Sequence, residues 1–267
     1  MRELIAAGTV TPDTLVWSEG MTGWQKAGEI PDLRSSISPP AFPSSARPPV
    51  TNSGTVGAPI RAEFNIGALL GRLIVYLVGY LLVVPAPWVA TSFYRWGISH
   101  LEVPRRPNLS FTGNPGDIWY VHVLIGLIAY SGIIDTDYLV YIMIPVQAFL
   151  AWMVVRWVVA NISSNGQRLP LTFIGEAWKY VGWYLLLHVS FITIIGWAWA
   201  TTAWMRWIGR NIAGTRRAVV FTASGWQVLW RTVVFALLSA LIIPLPWALG
   251  WYGRWYMSRF ELVERTA

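Results

Sequence analysis

The chain has 267 residues, 55 % of them hydrophobic and 12 % charged, with 18 Trp and no Cys, where an ordinary soluble domain is about 25 % charged. Without Cys there is no disulfide framework, thiolate nucleophile or thiolate metal site. The net charge of +7 belongs to the apolar part: residues 61–267 carry 16 basic and 8 acidic side chains (+8), residues 1–60 the remaining −1. These basic residues punctuate apolar runs and form no polar face, so nucleic acid is set aside as a partner.

Residues 1–34 read as a small α+β segment. Arg2 to Ala7 gives a short helical stripe ended by Gly8, Thr11-Pro12-Asp13 a turn, and Leu15-Val16-Trp17 a strand. Residues 35–60 are dominated by Ser, Pro and Gly and read as a disordered linker, partly polyproline II. From Arg61 onward apolar segments run at membrane length, with candidate spans at 65–84, 119–134, 138–159, 178–195 and 227–243. Shorter Trp-rich stretches, 87–101, 197–212 and 246–260, lie among them.

A repeat underlies this region. Trp-x6-Arg-Trp occurs as Trp88/Arg95-Trp96, Trp199/Arg206-Trp207 and Trp247/Arg254-Trp255, and Phe149/Arg156-Trp157 is a fourth copy. A second anchor is Phe111-Thr-Gly113, Phe173-Ile-Gly175 and Phe221-Thr-Ala-Ser-Gly225. Four units follow, about 61–109, 110–170, 171–218 and 219–267, each a first helix, a turn, a second helix bearing Arg-Trp and a short strand leading onward. The expected fold is an all-α integral membrane protein of four tandem helical hairpins with short β-strands at the cytoplasmic face. The turns lack Lys and Arg, so the positive-inside rule puts both termini in the cytoplasm. Hydropathy leaves open whether five or about eight segments span.

Several residues invite chemistry. Arg95, Arg156, Arg206 and Arg254 are candidate contacts for an anionic lipid, since arginine deep in an apolar helix needs a partner and its planar fork suits phosphate; the competing use is snorkelling beside an aromatic belt. Arg72 and Arg231 pose the same choice. His122 and His188 lie at unequal depths, and with no Cys and no His-Glu-x-x-His no metal or cofactor site is expected; hydrogen bonding between helices is the expected job of His188. Asp135 and Asp137 make an acidic pair in an outer turn, and Glu176 and Lys179 an i,i+3 helix pair.

Two resemblances are specific. Thr193-Ile-Ile-Gly196-Trp197-Ala-Trp199-Ala, Trp204-Met-Arg206-Trp207, Arg210-Asn211 and Phe221-Thr with Gly225 resemble the repeated unit of the YjgN-like bacterial inner-membrane family, which implies a membrane fold and no activity. Residues 2–33 resemble the C-terminal two-thirds of the bacterial variant of the GYF domain, at Leu4, Ile5, Gly8, Pro12, Asp13, Leu15, Val16, Trp17, Gly20-Met21, Trp24 and Ala27. That resemblance implies an adaptor that accepts proline-rich peptides, with Trp17 and Trp24 as candidate peptide contacts. The upstream strand and Gly-Pro pair of such domains are missing, so a start upstream of Met1 is expected. The combined expectation is a non-catalytic membrane scaffold or adaptor with membrane lipids as partners and a protein bound through the GYF-like segment or the Pro-rich linker; the alternative is a transporter or lipid-handling protein binding anionic lipid through the Arg-Trp positions.

Overall fold

The computed structural model describes residues 13–21, 23–30, 57, 59–130, 137–241 and 243–264. The expected stripe over residues 2–7, most of the linker and the side chains of Asp135 and Asp137 lie outside them. The chain divides into two compact units, Met1–Thr51 and Asn52–Ala267. In the first, β1 (Leu15–Val16) pairs antiparallel with β2 (Gln25–Lys26), Leu15 opposite Lys26 and Val16 opposite Gln25. Val16 and Ala27 are buried, and the Ala27 N–H donates to the Thr14 carbonyl at 2.9 Å.

The second unit is four copies of one pattern, strand-helix-helix-strand. The first runs β3 (Arg61–Ala62), α1 (Ile66–Leu81), α2 (Ala86–Ser99) and β4 (Leu101–Glu102). The second runs β5 (Leu109–Phe111), α3 (Trp119–Ala129), α4 (Asp137–Ala160) and β6 (Ile162–Ser164), with an added β7 (Gln167–Arg168). The third is β8 (Thr172–Phe173), α5 (Ala177–Ser190), α6 (Trp197–Arg210) and β9 (Ile212–Ala213); the fourth is β10 (Arg217–Phe221), α7 (Gly225–Ala240), α8 (Leu245–Met257) and β11 (Phe260–Glu264).

In every copy the last strand pairs antiparallel with the first, closing the base of its own hairpin. The same backbone bond recurs just beyond each ladder: Glu63 N to His100 O at 3.0 Å, Thr112 N to Asn161 O at 2.9 Å, Ile174 N to Asn211 O at 2.9 Å and Thr222 N to Arg259 O at 2.8 Å. Local chemistry fixes the helix ends. Asn65 caps α1 through Gly67 N, and Ser224 with Gln227 forms a capping box on α7. Pro87 and Pro246 sit in the first turns of α2 and α8, where a missing N–H costs nothing. The added β6–β7 hairpin turns on Asn165-Gly166, both at positive φ, as a two-residue hairpin loop requires.

Each helix packs on the next in sequence, and α8 packs back on α1 and β3, so the eight described helices form a closed ring. The core is distributed by copy. Phe111 with Trp157, Phe173 with Trp204, and Phe221 with Trp255 anchor three separate buried clusters, each buried Phe contributing about 1.5–3 kcal/mol. The second aromatic of the repeated motif lies inward, Trp96, Trp157 and Trp255 being buried; the first aromatic, Trp88, Phe149, Trp199 and Trp247, is exposed in all four copies.

This architecture overturns the expected all-α, multi-pass membrane fold. The described residues hold eight helices and eleven short strands in five sheets. Among them one helical segment, Tyr141–Ala160, is long and apolar enough to cross a membrane. The reason is local. The apolar run 65–84 contains a chain reversal, with Val83 at φ 63° after α1 has ended at Leu81; in the run 178–195, α5 stops at Ser190 and a 3₁₀ turn, Phe191–Thr193, follows. A helix of 16 residues spans only about 24 Å of an apolar layer about 30 Å thick. Hydropathy adds the apolar turn residues to the helix and so overstates its length.

Candidate functional site

The N-terminal hairpin presents an aromatic face. Continuing the β1–β2 register by one step places Trp17 opposite Trp24, on the same side as Leu15 because side chains alternate along a strand. Trp17 is 51 % exposed, Trp24 69 % and Leu15 58 %, while Val16 packs inward. Lys26 bonds Asp13 at 3.1 Å beside this face. Both tryptophans singled out as peptide contacts thus occupy one exposed strip.

The four motif arginines are all exposed and have different uses. Arg95 Nη2 donates to Gly113 O at 3.0 Å, and Arg206 donates through Nε to Phe221 O at 3.3 Å and through Nη2 to Ala223 O at 2.9 Å. Each reaches the turn at the anchor Phe of the following copy, Phe111-Thr-Gly113 or Phe221-Thr-Ala223. Between copies two and three Trp152 replaces this link, its Nε1 donating to Gly175 O at 2.8 Å, and Arg156 stacks on the Trp152 ring at 5.5 Å. Arg254, in the last copy, is exposed and forms no ion pair among the described residues. The sequence marks these arginines as a set; which carbonyl each meets follows from ring closure, which spacing does not encode.

Arg72 lies over Trp96 at 5.4 Å and lines a cavity of about 370 Å³ with Val75, Trp88, Val89, Ser92 and Phe93. Arg231 is enclosed more fully, its Cζ 4.5 Å from the Trp255 ring centroid, 4.8 Å from Trp230 and 6.0 Å from Trp251. Histidine roles differ from expectation. His188 bonds the Tyr184 carbonyl of its own helix at 2.8 Å; fully buried His122 makes the link between helices, Nδ1 to the Tyr80 hydroxyl at 2.6 Å. Glu176 and Lys179 pair at 2.9 Å as their spacing predicts. Asp117, which sequence reasoning missed, accepts from Asn114 N and Trp157 Nε1, each at 3.0 Å, and these bonds hold its carboxyl below the usual range.

Comparison with known families gives one match, at the N-terminus: residues 1–33 match the family GYF domain 2. That match supports a protein-binding role there, of the kind that takes proline-rich partners. The resemblance of residues 61–267 to the YjgN-like membrane family finds no support. No curated protein and no solved structure matches the chain.

Proposed function

We propose that this protein is a non-catalytic adaptor held at the bacterial inner membrane, in which the N-terminal hairpin recruits a protein through a proline-rich segment. The observation that carries the membrane half is the contrast between the two ends of the hairpins. Leu82, Val84, Ile192, Ile194, Leu241 and Ile243 are exposed at three tips, and residues 82–88, 190–199 and 243–248 hold no charged side chain. The strand ends carry Arg61, Glu102, Arg105, Arg168, Arg210, Arg217 and Glu264. Exposed Trp88, Trp199 and Trp247 near the tips suit an aromatic belt, so the tips dip into lipid and the charged strand end faces the cytoplasm.

The adaptor half rests on the exposed Leu15, Trp17 and Trp24 strip and the family match. Deleting residues 1–51, the first compact unit, should abolish recovery of a cross-linked protein partner while leaving the remainder in the membrane fraction; recovery equal to that of the full chain would sink the adaptor reading. Replacing Trp88, Trp199 and Trp247 together by Ser should weaken sedimentation with lipid vesicles, and undiminished sedimentation would sink the membrane half. The Arg72 cavity supports a second reading, lipid handling, because an apolar lining with one cation suits an anionic amphiphile.

A further inference from the structure

The ring's own repetition marks the place where one copy departs from the rest. Four residues beyond the inward Trp, the first three copies carry His100, Asn161 and Asn211. All three side chains return a hydrogen bond to that Trp's carbonyl: His100 Nδ1 with Trp96 O, Asn161 Nδ2 to Trp157 O and Asn211 Nδ2 to Trp207 O, each at 2.8 Å. The fourth copy has Arg259 there. Its backbone keeps the common bond, accepting from Thr222 N, so the position is equivalent. Its side chain behaves differently: Arg259 Nε is buried without an acceptor among the described residues.

Two more donors in this copy share that state, Arg231 Nε and Trp255 Nε1. Arg231 lies over the Trp255 ring, Arg259 follows Trp255 by four residues, and burial together with the like charge of Arg259 lowers the pKa of the Arg231 guanidinium. No carboxylate lies within ion-pair distance of either arginine among the described residues. Buried unpaired donors are costly, and an Asn serves at the Arg259 position in two other copies. The indole rings of Trp255, Trp230 and Trp251 lie 4.5, 4.8 and 6.0 Å from the Arg231 guanidinium carbon.

We propose that Arg231, Arg259 and the Trp255 indole N–H form a binding site for a phosphate-class anion at the base of the fourth hairpin. Two arginine forks match phosphate oxygens, and a bound anion supplies acceptors for the three orphaned donors and offsets the two like charges. Two sources offer this chemistry, a soluble phosphorylated molecule and a lipid headgroup. The site does not depend on the adaptor reading.

The test uses full-length protein in detergent. Inorganic phosphate is titrated against chloride at constant ionic strength while the unfolding temperature is followed. Separately, the protein is mixed with vesicles of phosphatidylglycerol or of phosphatidylcholine, whose phosphate is neutralised by choline. Wild type should respond saturably to phosphate or to phosphatidylglycerol, with Arg231→Gln and Arg259→Gln each weakening the response about tenfold or more. Arg231→Lys and Arg259→Lys keep the charge and guard against misfolding; folded by circular dichroism, they should fall between. A response to inorganic phosphate assigns a soluble ligand, and one confined to phosphatidylglycerol assigns a headgroup; both support the site. No response in wild type, or equal responses in wild type and the folded variants, overturns it.

Discussion

Gly175 joins β8 to α5 at the point where the Phe and Trp of the third copy meet. A Cβ there would lie 2.6 Å from Phe173 Cζ and 2.8 Å from Trp207 Cη2, against about 3.5–4.0 Å for carbon atoms in contact. Neither ring can retreat easily, since the two already pack edge to face with centroids 5.9 Å apart. Gly175→Ala should therefore behave as an overpacking substitution costing roughly 1–3 kcal/mol. Gly182, exposed within α5 with nothing within 4 Å of where a methyl group would stand, is the control; Ala there should gain about 0.5–1 kcal/mol from backbone entropy alone. At about 2–4 °C per kcal/mol for a chain of this size, the first variant should melt roughly 2–12 °C below wild type and the second about 1–4 °C above. Thermal unfolding by circular dichroism in detergent reads both. A Gly175→Ala protein melting at or above wild type would refute the claim that this glycine exists to admit the two rings.

Arg206→Gln should cost about 1 kcal/mol, because its bonds to Phe221 O and Ala223 O are lost from an exposed site; Arg254→Gln should stay within about 0.5 kcal/mol, and equal melting shifts would discredit the inter-copy clamp. The Asp117 carboxyl is depressed by the Asn114 and Trp157 N–H groups, so its stabilisation is full above the ordinary carboxylate pKa of about 4 and disappears as pH falls through the lower folded value. The melting difference between wild type and Asp117→Asn should accordingly shrink from pH 7 to pH 3, whereas a constant gap would exclude the ionised carboxylate as its source. Trp17→Ala and Trp24→Ala, assayed in the full chain by titration with a proline-rich peptide, should each weaken binding about tenfold or more. Unchanged affinity would remove the aromatic strip from the recognition surface.

The Trp-x6-Arg-Trp spacing marks four places along residues 61–267, each at the second helix of a strand-helix-helix-strand pattern. It could not show that the two aromatics of the motif part company, with Trp96 inside and Trp88 outside; that depends on which neighbouring helix each meets. Strand pairing was half legible. A short strand leading out of the third copy was expected, and β10 at Arg217–Phe221 fills that place, but its partner β11 is found roughly forty residues later. Helix length was the largest error, since apolar turns such as Val83-Val84 have the hydropathy of the helix they end. At the N-terminus, Leu15-Val16 was legible as strand, and Trp17 and Trp24 were marked by the resemblance to the GYF domain. Arg259 drew none, because its significance lies in a comparison with Asn161 and Asn211 that requires the copies to be superposed.

Closure of the ring also has a topological consequence. The chain enters and leaves at the same spot: Ile60 N bonds Phe260 O at 2.9 Å and Gly57 N bonds Leu262 O at 3.2 Å. The seam between the fourth copy and the first is thus closed by backbone bonds of its own, where the other junctions use the side chains of Arg95, Trp152 and Arg206. A permuted gene that joins residue 264 to residue 57 and opens the chain between β9 and β10 should specify the same ring. A force applied to the chain at residue 57 therefore loads the clasp formed with β11 before any helix.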